Sequence, residues 1–237
     1  MNPLAESNAT RGARRRARTG AAILDAAERT FTDAGYRGAK MEDVADAADV
    51  AVGSIYSHFG NKDGLYLAVV ERAVELFSRY MDQAYQDEWT PLEQVMACGD
   101  AYLRFHFEHP GAFRFLAFDD IDPAADIDAE RRARVAAGID ALIEEFSGKI
   151  QEAVDAGEAR PLDARLTGRF LWGAWNGMVA LTQRSDGLAL TEVELDAAIL
   201  QARVIVNAGL CSTAARGPDG EPRAQLRTTQ SPPPAVD

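Results

Sequence analysis

The sequence is poor in cysteine and has no long hydrophobic run. Its two cysteines, Cys98 and Cys211, lie far apart in a chain of 237 residues, which argues against a disulfide framework and against the paired spacing of a metal site. The most apolar stretch, Phe170 to Leu181, is shorter than the ~20 residues that cross a bilayer. The N-terminus contains arginines but no apolar signal core. We therefore expect a cytoplasmic protein with reduced thiols and no membrane partner.

Sequence patterns of common enzymes are also missing. No GxSxG, P-loop, HExxH or dinucleotide-binding pattern occurs, so the sequence predicts neither an enzyme nor a cofactor. One alternative is a metal site at "HFEH", where His106 and His109 are spaced i, i+3 and lie near the acidic residues 119–122. The same spacing suits a pocket or an interface helix, and we do not predict a metal. A metal assay or an activity assay would distinguish these alternatives.

Alternating strand patterns are not found, whereas helical periodicity recurs. Ile23, Ala27 and Phe31 keep 3.6-residue spacing between Thr19, a potential cap, and Gly35, a potential stop. A stripe starting at Met41 predicts a second helix of about two turns, and the pattern then predicts a short helix over 52–59 and a long helix capped by Asn61. Two short helices joined by a tight turn form a helix-turn-helix, in which the second helix lies in the DNA major groove.

The charge is distributed unevenly along the chain. The formal net charge is -12, yet residues 1–62 carry nine Lys/Arg and eight Asp/Glu, against 16 and 29 in the remainder. The segment "RGARRRARTG" (11–20) contains five arginines and no acid. Such a composition is typical of an arm that neutralises DNA phosphates and equally of a solvated, disordered tail.

The helix predicted over 52–59 has an outward face of small and polar side chains. Ile55 and Phe59 point inward, which leaves a face that allows close approach to base edges: Val52, Gly53, Ser54 and Ser57. Tyr56 and His58 can donate to phosphate oxygens, and Lys62 brings a charge to the start of the next helix. Each of these three also has a simpler interpretation as an ordinary surface residue.

The stretch "ILDAAERTFTDAGYRGAKMEDVADAADVAVGSIYSHFGNKDGLYLAVV" closely resembles the DNA-binding domain of the tetracycline-repressor (TetR) family of bacterial regulators. The resemblance covers residues 18–70. It is specific, because "GY", "DVA", "GSIYSHF" and "NKDGL" occur in order at the family's intervals. It implies an all-α homodimer, with an N-terminal three-helix DNA-binding domain and a helical ligand-binding and dimerisation domain. By position, Tyr56, His58 and Lys62 match phosphate contacts, and the four small residues match the base-facing set.

The sequence departs from the family pattern at three positions. Lys40 replaces a capping threonine, Asp49 replaces the turn glycine, and Ala51 replaces the serine that caps the recognition helix. Aspartate tolerates left-handed backbone better than most residues, so we expect the turn to survive. Losing the cap at Ala51 costs about 1 kcal/mol. Lys40 is retained as a candidate charge contact to DNA.

The C-terminal half supplies candidates for dimerisation and for ligand binding. The helix around Phe170–Leu181 is apolar on nearly all sides, with one stripe at Phe170, Gly173, Gly177 and Leu181, which predicts burial against the core and a partner subunit. A second interface helix is predicted from Leu195, Ile199, Ala202 and Val206. Aromatic and amphipathic residues in segments that line the family's pocket predict a mainly apolar effector site: Phe77, Met81, Tyr102, Phe105, His106, Phe113, Trp172, Trp175 and Asn176.

These features predict four segments and one function. The segments are a disordered basic arm (1–17), a helix-turn-helix domain (18–62), a ligand-binding and dimerisation domain (63–211) and a disordered tail rich in Pro and Gly (212–237). The predicted function is a dimeric transcriptional regulator that binds a palindromic double-stranded DNA operator and is released by a small hydrophobic effector. A repressor is expected, although the sequence does not distinguish it from an activator.

Overall fold

Helices make up most of the described protein. The computed structural model describes residues 3–117 and 129–233, with side chains from residue 11 onward. The helices are α1 Pro3–Gly38, α2 Met41–Ala47, α3 Val52–Phe59, α4 Lys62–Asp82, α5 Pro91–Glu108, α6 Pro110–Ala117, α7 Ala129–Asp155, α8 Ala164–Ala180 and α9 Glu192–Leu210, with a 3-10 turn at Leu181–Gln183. Within these ranges no strand forms, and the backbone makes only isolated bridges. The predicted all-α fold is confirmed.

The first helix is longer than the sequence pattern predicts. The pattern places its start after Thr19, whereas α1 begins at Pro3, so the arm expected to be disordered is helical in the structure. Alanine and arginine, which are frequent in this segment, are strong helix formers and account for the extension. At the other end, Gly35 has φ 68° and ψ 168° and interrupts the helical backbone, as its proposed role as a stop requires.

The chain divides into two compact units. The N-terminal unit comprises Met1–Val74 and Gly111–Ala136, and the C-terminal unit comprises Glu75–Pro110 and Ala137–Asp237. The sequence placed the boundary after residue 62, but the first part of α4 groups with the N-terminal unit. The cause is aromatic packing within that unit: the ring centroid of Tyr66 lies 5.2 Å from that of Phe31 on α1 and 5.5 Å from that of Phe115 on α6.

Side chains from α1, α2, α3 and α4 form the core of the N-terminal unit. Its fully buried apolar side chains include Ile23, Val44, Ile55 and Leu65. Arg72 of α4 adds ion pairs to α1, at 2.6 Å from Asp25 and 2.5 Å from Glu28. These contacts hold the two short helices α2 and α3 against a framework formed by α1 and α4.

Side-chain caps define several helix starts. Asn61 Oδ1 accepts from the Gly64 N–H at 2.7 Å, so the predicted cap of α4 is confirmed. In the C-terminal unit, Thr90 and Thr191 form capping boxes with Glu93 and Glu194 at α5 and α9. The core of this unit is apolar and includes Phe77, Phe105, Ile150, Leu195 and Ile199.

The segment 212–233, called the C-terminal strap here, is not the disordered tail that its composition predicts. Thr229 is buried and donates to Asp100 Oδ2 through its N–H at 2.7 Å and its hydroxyl at 2.9 Å. Arg227 donates to both carboxylate oxygens of Glu93 at 3.0–3.1 Å. Because Glu93 is itself buried on α5, it requires such a partner, and the strap supplies it.

Candidate nucleic-acid interface

Helices α2 and α3 form a helix-turn-helix at the predicted positions. The turn between them is closed by backbone hydrogen bonds, from Val50 N to Ala45 O at 3.0 Å and from Ala48 N to Val44 O at 3.0 Å. Asp49 has φ 52°, which is the left-handed conformation that a glycine would adopt at this position. The turn therefore forms with aspartate in place of glycine, as expected. Neither Lys40 nor Ala51 caps its helix through its side chain.

The outer face of α3 is small and accessible. Ile55 is fully buried, while Gly53 and Ser57 are exposed, and Val52 and Ser54 are half-buried. A Cβ atom placed on Gly53 would meet no atom within 4 Å. The space in front of this helix is thus open to a large partner. Tyr56, with 48% of its surface exposed, and Lys40 are also accessible.

Lys62 has an intramolecular partner in the structure. Its Nζ donates to the Ala39 carbonyl at 2.6 Å and lies 4.8 Å from the centroid of the Tyr36 ring. Burial lowers the pKa of Lys62. The lysine therefore links the start of α4 to the junction between α1 and α2. A phosphate contact by Lys62 stays a prediction. It would require the ammonium group to bind a phosphate in addition to the Ala39 carbonyl or in place of it.

His58 and Arg16 connect α3 to the N-terminal part of α1. Arg16 donates to the Ser57 carbonyl at 3.0 Å. The Nδ1 and Nε2 atoms of His58 lie 2.8 Å from Ser54 O and 3.3 Å from Arg16 O. A neutral imidazole carries one N–H, so it can donate to only one of these carbonyls at a time. The sequence did not indicate the two contacts that involve Arg16, because local patterns carry no signal for pairs more than forty residues apart.

Five of the predicted effector-site residues meet in the C-terminal unit. The ring centroid of Phe77 on α4 lies 5.1 Å from that of Phe105 on α5 and 5.6 Å from that of Trp172 on α8. Tyr102 donates its hydroxyl to Asn176 Oδ1 at 2.6 Å. This aromatic cluster (Phe77, Tyr102, Phe105, Trp172 and Asn176) is closely packed.

The other four predicted lining residues occupy different surroundings. Phe113 is buried in the N-terminal unit, and Met81 is buried on α4. Trp175 packs beside Gly99, where an added Cβ would lie 3.3 Å from the indole. His106 lines a separate cavity of about 370 Å³ together with Phe107, Pro110, Thr182, Leu190, Thr191 and Glu192. Burial lowers the pKa of His106, an effect that the nearby Glu192 opposes.

Helices α8 and α9 expose one apolar stripe each. Both follow i, i+4, i+7, i+11 spacing, and together they form what we call the α8–α9 face: Leu166, Phe170, Gly173 and Gly177 on α8, and Val193, Ala197, Leu200 and Val204 on α9. Phe170 is 69% exposed and Val193 80%. The stripe on α9 differs from the predicted one, because Leu195 and Ile199 are fully buried inside the C-terminal unit.

Two family models match the chain. The model described as "Bacterial regulatory proteins, tetR family" matches residues 23–69, which include the helix-turn-helix. The model described as "Tetracyclin repressor-like, C-terminal domain" matches residues 95–205. The chain belongs to the TetR family. It is therefore a DNA-binding transcriptional regulator, and the predicted resemblance is confirmed.

Curated relatives and solved structures agree with membership of the TetR family. The chain is 26% identical over 153 residues to the transcriptional regulator RutR of Escherichia coli K12, covering 65% of this chain and 70% of RutR. It is 29% identical over 125 residues to the transcriptional activator FasR of Mycolicibacterium smegmatis, covering 53% of this chain and 57% of FasR. The structure of AibR in complex with isovaleryl coenzyme A and operator DNA matches with a TM-score of 0.60 and 24% identity, over 77% of this chain and 97% of AibR.

Residues 3–117 and 129–233 contain no helix both long and apolar enough to cross a membrane. The same ranges contain no group of three or more His, Cys, Asp or Glu placed to hold a metal ion. The acidic residues 119–122 lie outside the described residues. The His109 ring makes an edge-to-face contact with Tyr80 at 5.6 Å and a tilted contact with Phe105 at 6.0 Å, both measured between centroids.

Proposed function

We propose that the protein is a homodimeric, effector-responsive repressor that binds a near-palindromic operator and is released by a small hydrophobic molecule. The observation that carries the proposal is the open, small-residue face of α3. Val52, Gly53, Ser54 and Ser57 would read base edges, while Lys40, Tyr56, His58 and Lys62 would contact phosphates. Two such helices, one from each subunit, would enter major grooves about one turn (~34–36 Å) apart.

The α8–α9 face supports the homodimer. Exposed apolar stripes of this extent mark interaction sites, and one face of the chain can pair with the same face of a second copy about a twofold axis. Gly173 and Gly177 have open space where a Cβ would be, so a partner helix could approach closely there. Dimerisation would set the distance between the two recognition helices.

The proposed effector site is the aromatic cluster on α4, α5 and α8. Its rings offer an apolar surface, and Tyr102 and Asn176 offer polar groups that could orient a guest. Since α4 begins at Lys62 and ends at Asp82, one helix carries both a proposed effector residue, Phe77, and a proposed DNA contact. A ligand that displaces Phe77 would bias the position of α4. Couplings of about 1–3 kcal/mol between such sites would change operator occupancy severalfold or more.

Selection of bound sequences from a random DNA pool tests DNA recognition. We expect a near-palindromic motif, and we expect Val52→Ala or Ser57→Ala to change the preferred base at one or two positions per half-site, each by about 1–3 kcal/mol. Ser78→Ala on α4 is the matched control and should return the parental motif. Recovery of the parental motif with both α3 variants would show that these side chains do not read bases. A pool without enrichment would refute sequence-specific binding.

Transcription from the recovered operator tests the sign of regulation. A repressor should lower transcription when added to a reconstituted reaction. An increase would instead favour activation, the alternative suggested by the name of the relative FasR.

Tryptophan fluorescence tests the effector site. We expect toluene or benzyl alcohol, used as small uncharged apolar probes, to quench the protein and to release operator DNA, whereas adenosine should do neither. Quenching should disappear in Trp172→Phe, because this ring lies in the aromatic cluster. It should persist in the matched control Trp89→Phe, whose ring lies instead near Arg227. If quenching by a releasing ligand survives in Trp172→Phe, the effector site lies elsewhere.

A further inference from the structure

The part of α1 that precedes Thr19, residues 3–18, is called the N-terminal extension here. Four of its arginines lie on one face of α1. Arg11, Arg14, Arg15 and Arg18 follow i, i+3, i+4, i+7 spacing within a continuous helix, and all four are exposed. With a rise of ~1.5 Å per residue, this arginine stripe is about 10 Å long. Phosphates of one DNA strand follow at ~3.4 Å along the helix axis. The stripe is therefore long enough to reach more than one phosphate of a single strand.

Contacts on the other side of α1 fix the stripe relative to the recognition helix. Arg16 points away from the four arginines, because a residue one or two positions along a helix faces another direction. It donates to the Ser57 carbonyl at 3.0 Å, and His58 returns a contact to the Arg16 carbonyl at 3.3 Å. Nearby, a Cβ on Gly20 would lie 3.5 Å from the His58 ring. The segment that carries the stripe thus continues α1 without a break and is attached to the end of α3.

The charge balance of the chain shows why such a stripe matters. Residues 63–237 carry 16 Lys/Arg and 29 Asp/Glu, so this region repels a phosphate backbone. The proposed base-facing set on α3 is uncharged, and Lys62 is already engaged with Ala39. Affinity for duplex DNA depends strongly on the number of phosphates neutralised by cations. The segment 11–18, which contains the stripe, has five arginines in eight positions and is the part of the sequence richest in cations.

We propose that the arginine stripe binds the phosphate backbone of duplex DNA beside the half-site contacted by α3. The inference rests on the proposed operator binding and extends it to a second contact region on the same unit. The stripe would add affinity without reading sequence, because guanidinium contacts to phosphates position a protein but carry no base information. A longer protected region of DNA on the outer side of each half-site should result.

The test compares the full-length protein with a variant in which all four arginines are replaced by glutamine. Glutamine retains a helix propensity close to that of arginine, so circular dichroism should remain unchanged. We expect the slope of log affinity against log salt to become shallower by about one unit per lost phosphate contact. The selected motif should stay the same. The matched control replaces the same four residues by lysine, which retains the charges and should retain most of the parental slope.

A second variant tests whether the helix itself positions the stripe. Ala22→Pro should break α1 between the stripe and the rest of the N-terminal unit while keeping every charge, and we expect weaker binding at the outer edge of the footprint. Parental binding by this variant would overturn the helical stripe in favour of a flexible basic arm. An unchanged salt slope in the glutamine variant would overturn the phosphate contacts altogether. Failure of the parent to select any motif would refute the proposed operator binding instead.

Discussion

Replacement of Phe170 by glutamate should convert the protein to monomers and should abolish tight binding to an operator with two half-sites. Phe170 lies within the α8–α9 face and is 69% exposed in the single chain. In a twofold interface, the substitution would bury a carboxylate from each subunit without a partner, which costs several kcal/mol per ion. Loss of the second DNA-binding unit would remove the gain from simultaneous binding, about 10²–10⁴-fold in affinity.

Sedimentation and DNA titration together measure this effect. The matched control is Leu188→Glu, which introduces the same charge at an apolar residue that is 61% exposed but lies in the turn before α9. It should remain dimeric and should bind the operator normally. A dimeric Phe170→Glu protein would exclude the α8–α9 face as the interface. A parent that is itself monomeric at micromolar concentration and still binds a palindrome tightly would contradict the dimeric mode of binding.

The helix-turn-helix could be predicted from the sequence because its determinants are local. The spacing of apolar residues placed Ile55 inward, the amide of Asn61 marked the start of α4, and the tolerance of aspartate for left-handed backbone explained the turn at Asp49. Each of these features depends on residues within one or two turns of helix. The intramolecular partner of Lys62 could not be predicted, since it is the carbonyl of Ala39, on a different segment of the unit.

The two terminal segments differ from their predictions for opposite reasons. The N-terminal segment has good helix formers but no apolar stripe. Hydrophobic periodicity, on which the helix predictions rest, therefore gave no sign of this helix. The C-terminal strap has poor secondary-structure propensity, and its order depends instead on Glu93 and Asp100, more than a hundred positions earlier in the chain. Composition describes what a segment can form alone. It does not show which buried carboxylates elsewhere require a partner.

The aromatic content of the C-terminal half could not by itself locate an effector site. Regular spacing places a ring on the inner side of a helix whether the ring lines a cavity or packs against another ring. In the structure, Phe77 and Trp172 pack directly against each other, whereas His106 lines a cavity with polar residues. An effector in the aromatic cluster would therefore have to separate packed rings, which adds a conformational cost to binding.

Replacement of Arg203 by methionine should strongly destabilise the C-terminal unit. Arg203 is buried on α9 and donates to Met96 O at 3.2 Å, to Asp100 Oδ1 at 3.1 Å and to the Arg227 carbonyl of the strap. Burial lowers the pKa of Arg203, an effect that Asp100 opposes. Removing the guanidinium leaves the Asp100 carboxylate, which is itself largely buried, with fewer partners. Such losses cost about 3–5 kcal/mol.

Thermal unfolding at equal protein concentrations measures the effect, and the expected loss corresponds to a Tm lower by about 6–20 °C. Arg184→Met is the matched control, because Arg184 pairs with Asp186 at the surface, and surface ion pairs contribute little. It should leave the Tm nearly unchanged. The double variant Arg203→Met, Asp100→Asn should regain part of the lost stability, since asparagine removes the buried charge while its side-chain carbonyl can still accept from Thr229.

The strap gives this prediction a second, independent readout. Without Arg203 the strap loses the donor to its Arg227 carbonyl, and Asp100, which accepts from Thr229, loses the nearer of its two arginine partners. We therefore expect a protease to cleave residues 212–233 faster in Arg203→Met than in the parent or in Arg184→Met, at temperatures where all three proteins are folded. A variant with the parental Tm and parental cleavage would mean that Arg203 does not hold the strap. A lower Tm with parental cleavage would instead limit its role to joining α9 to α5.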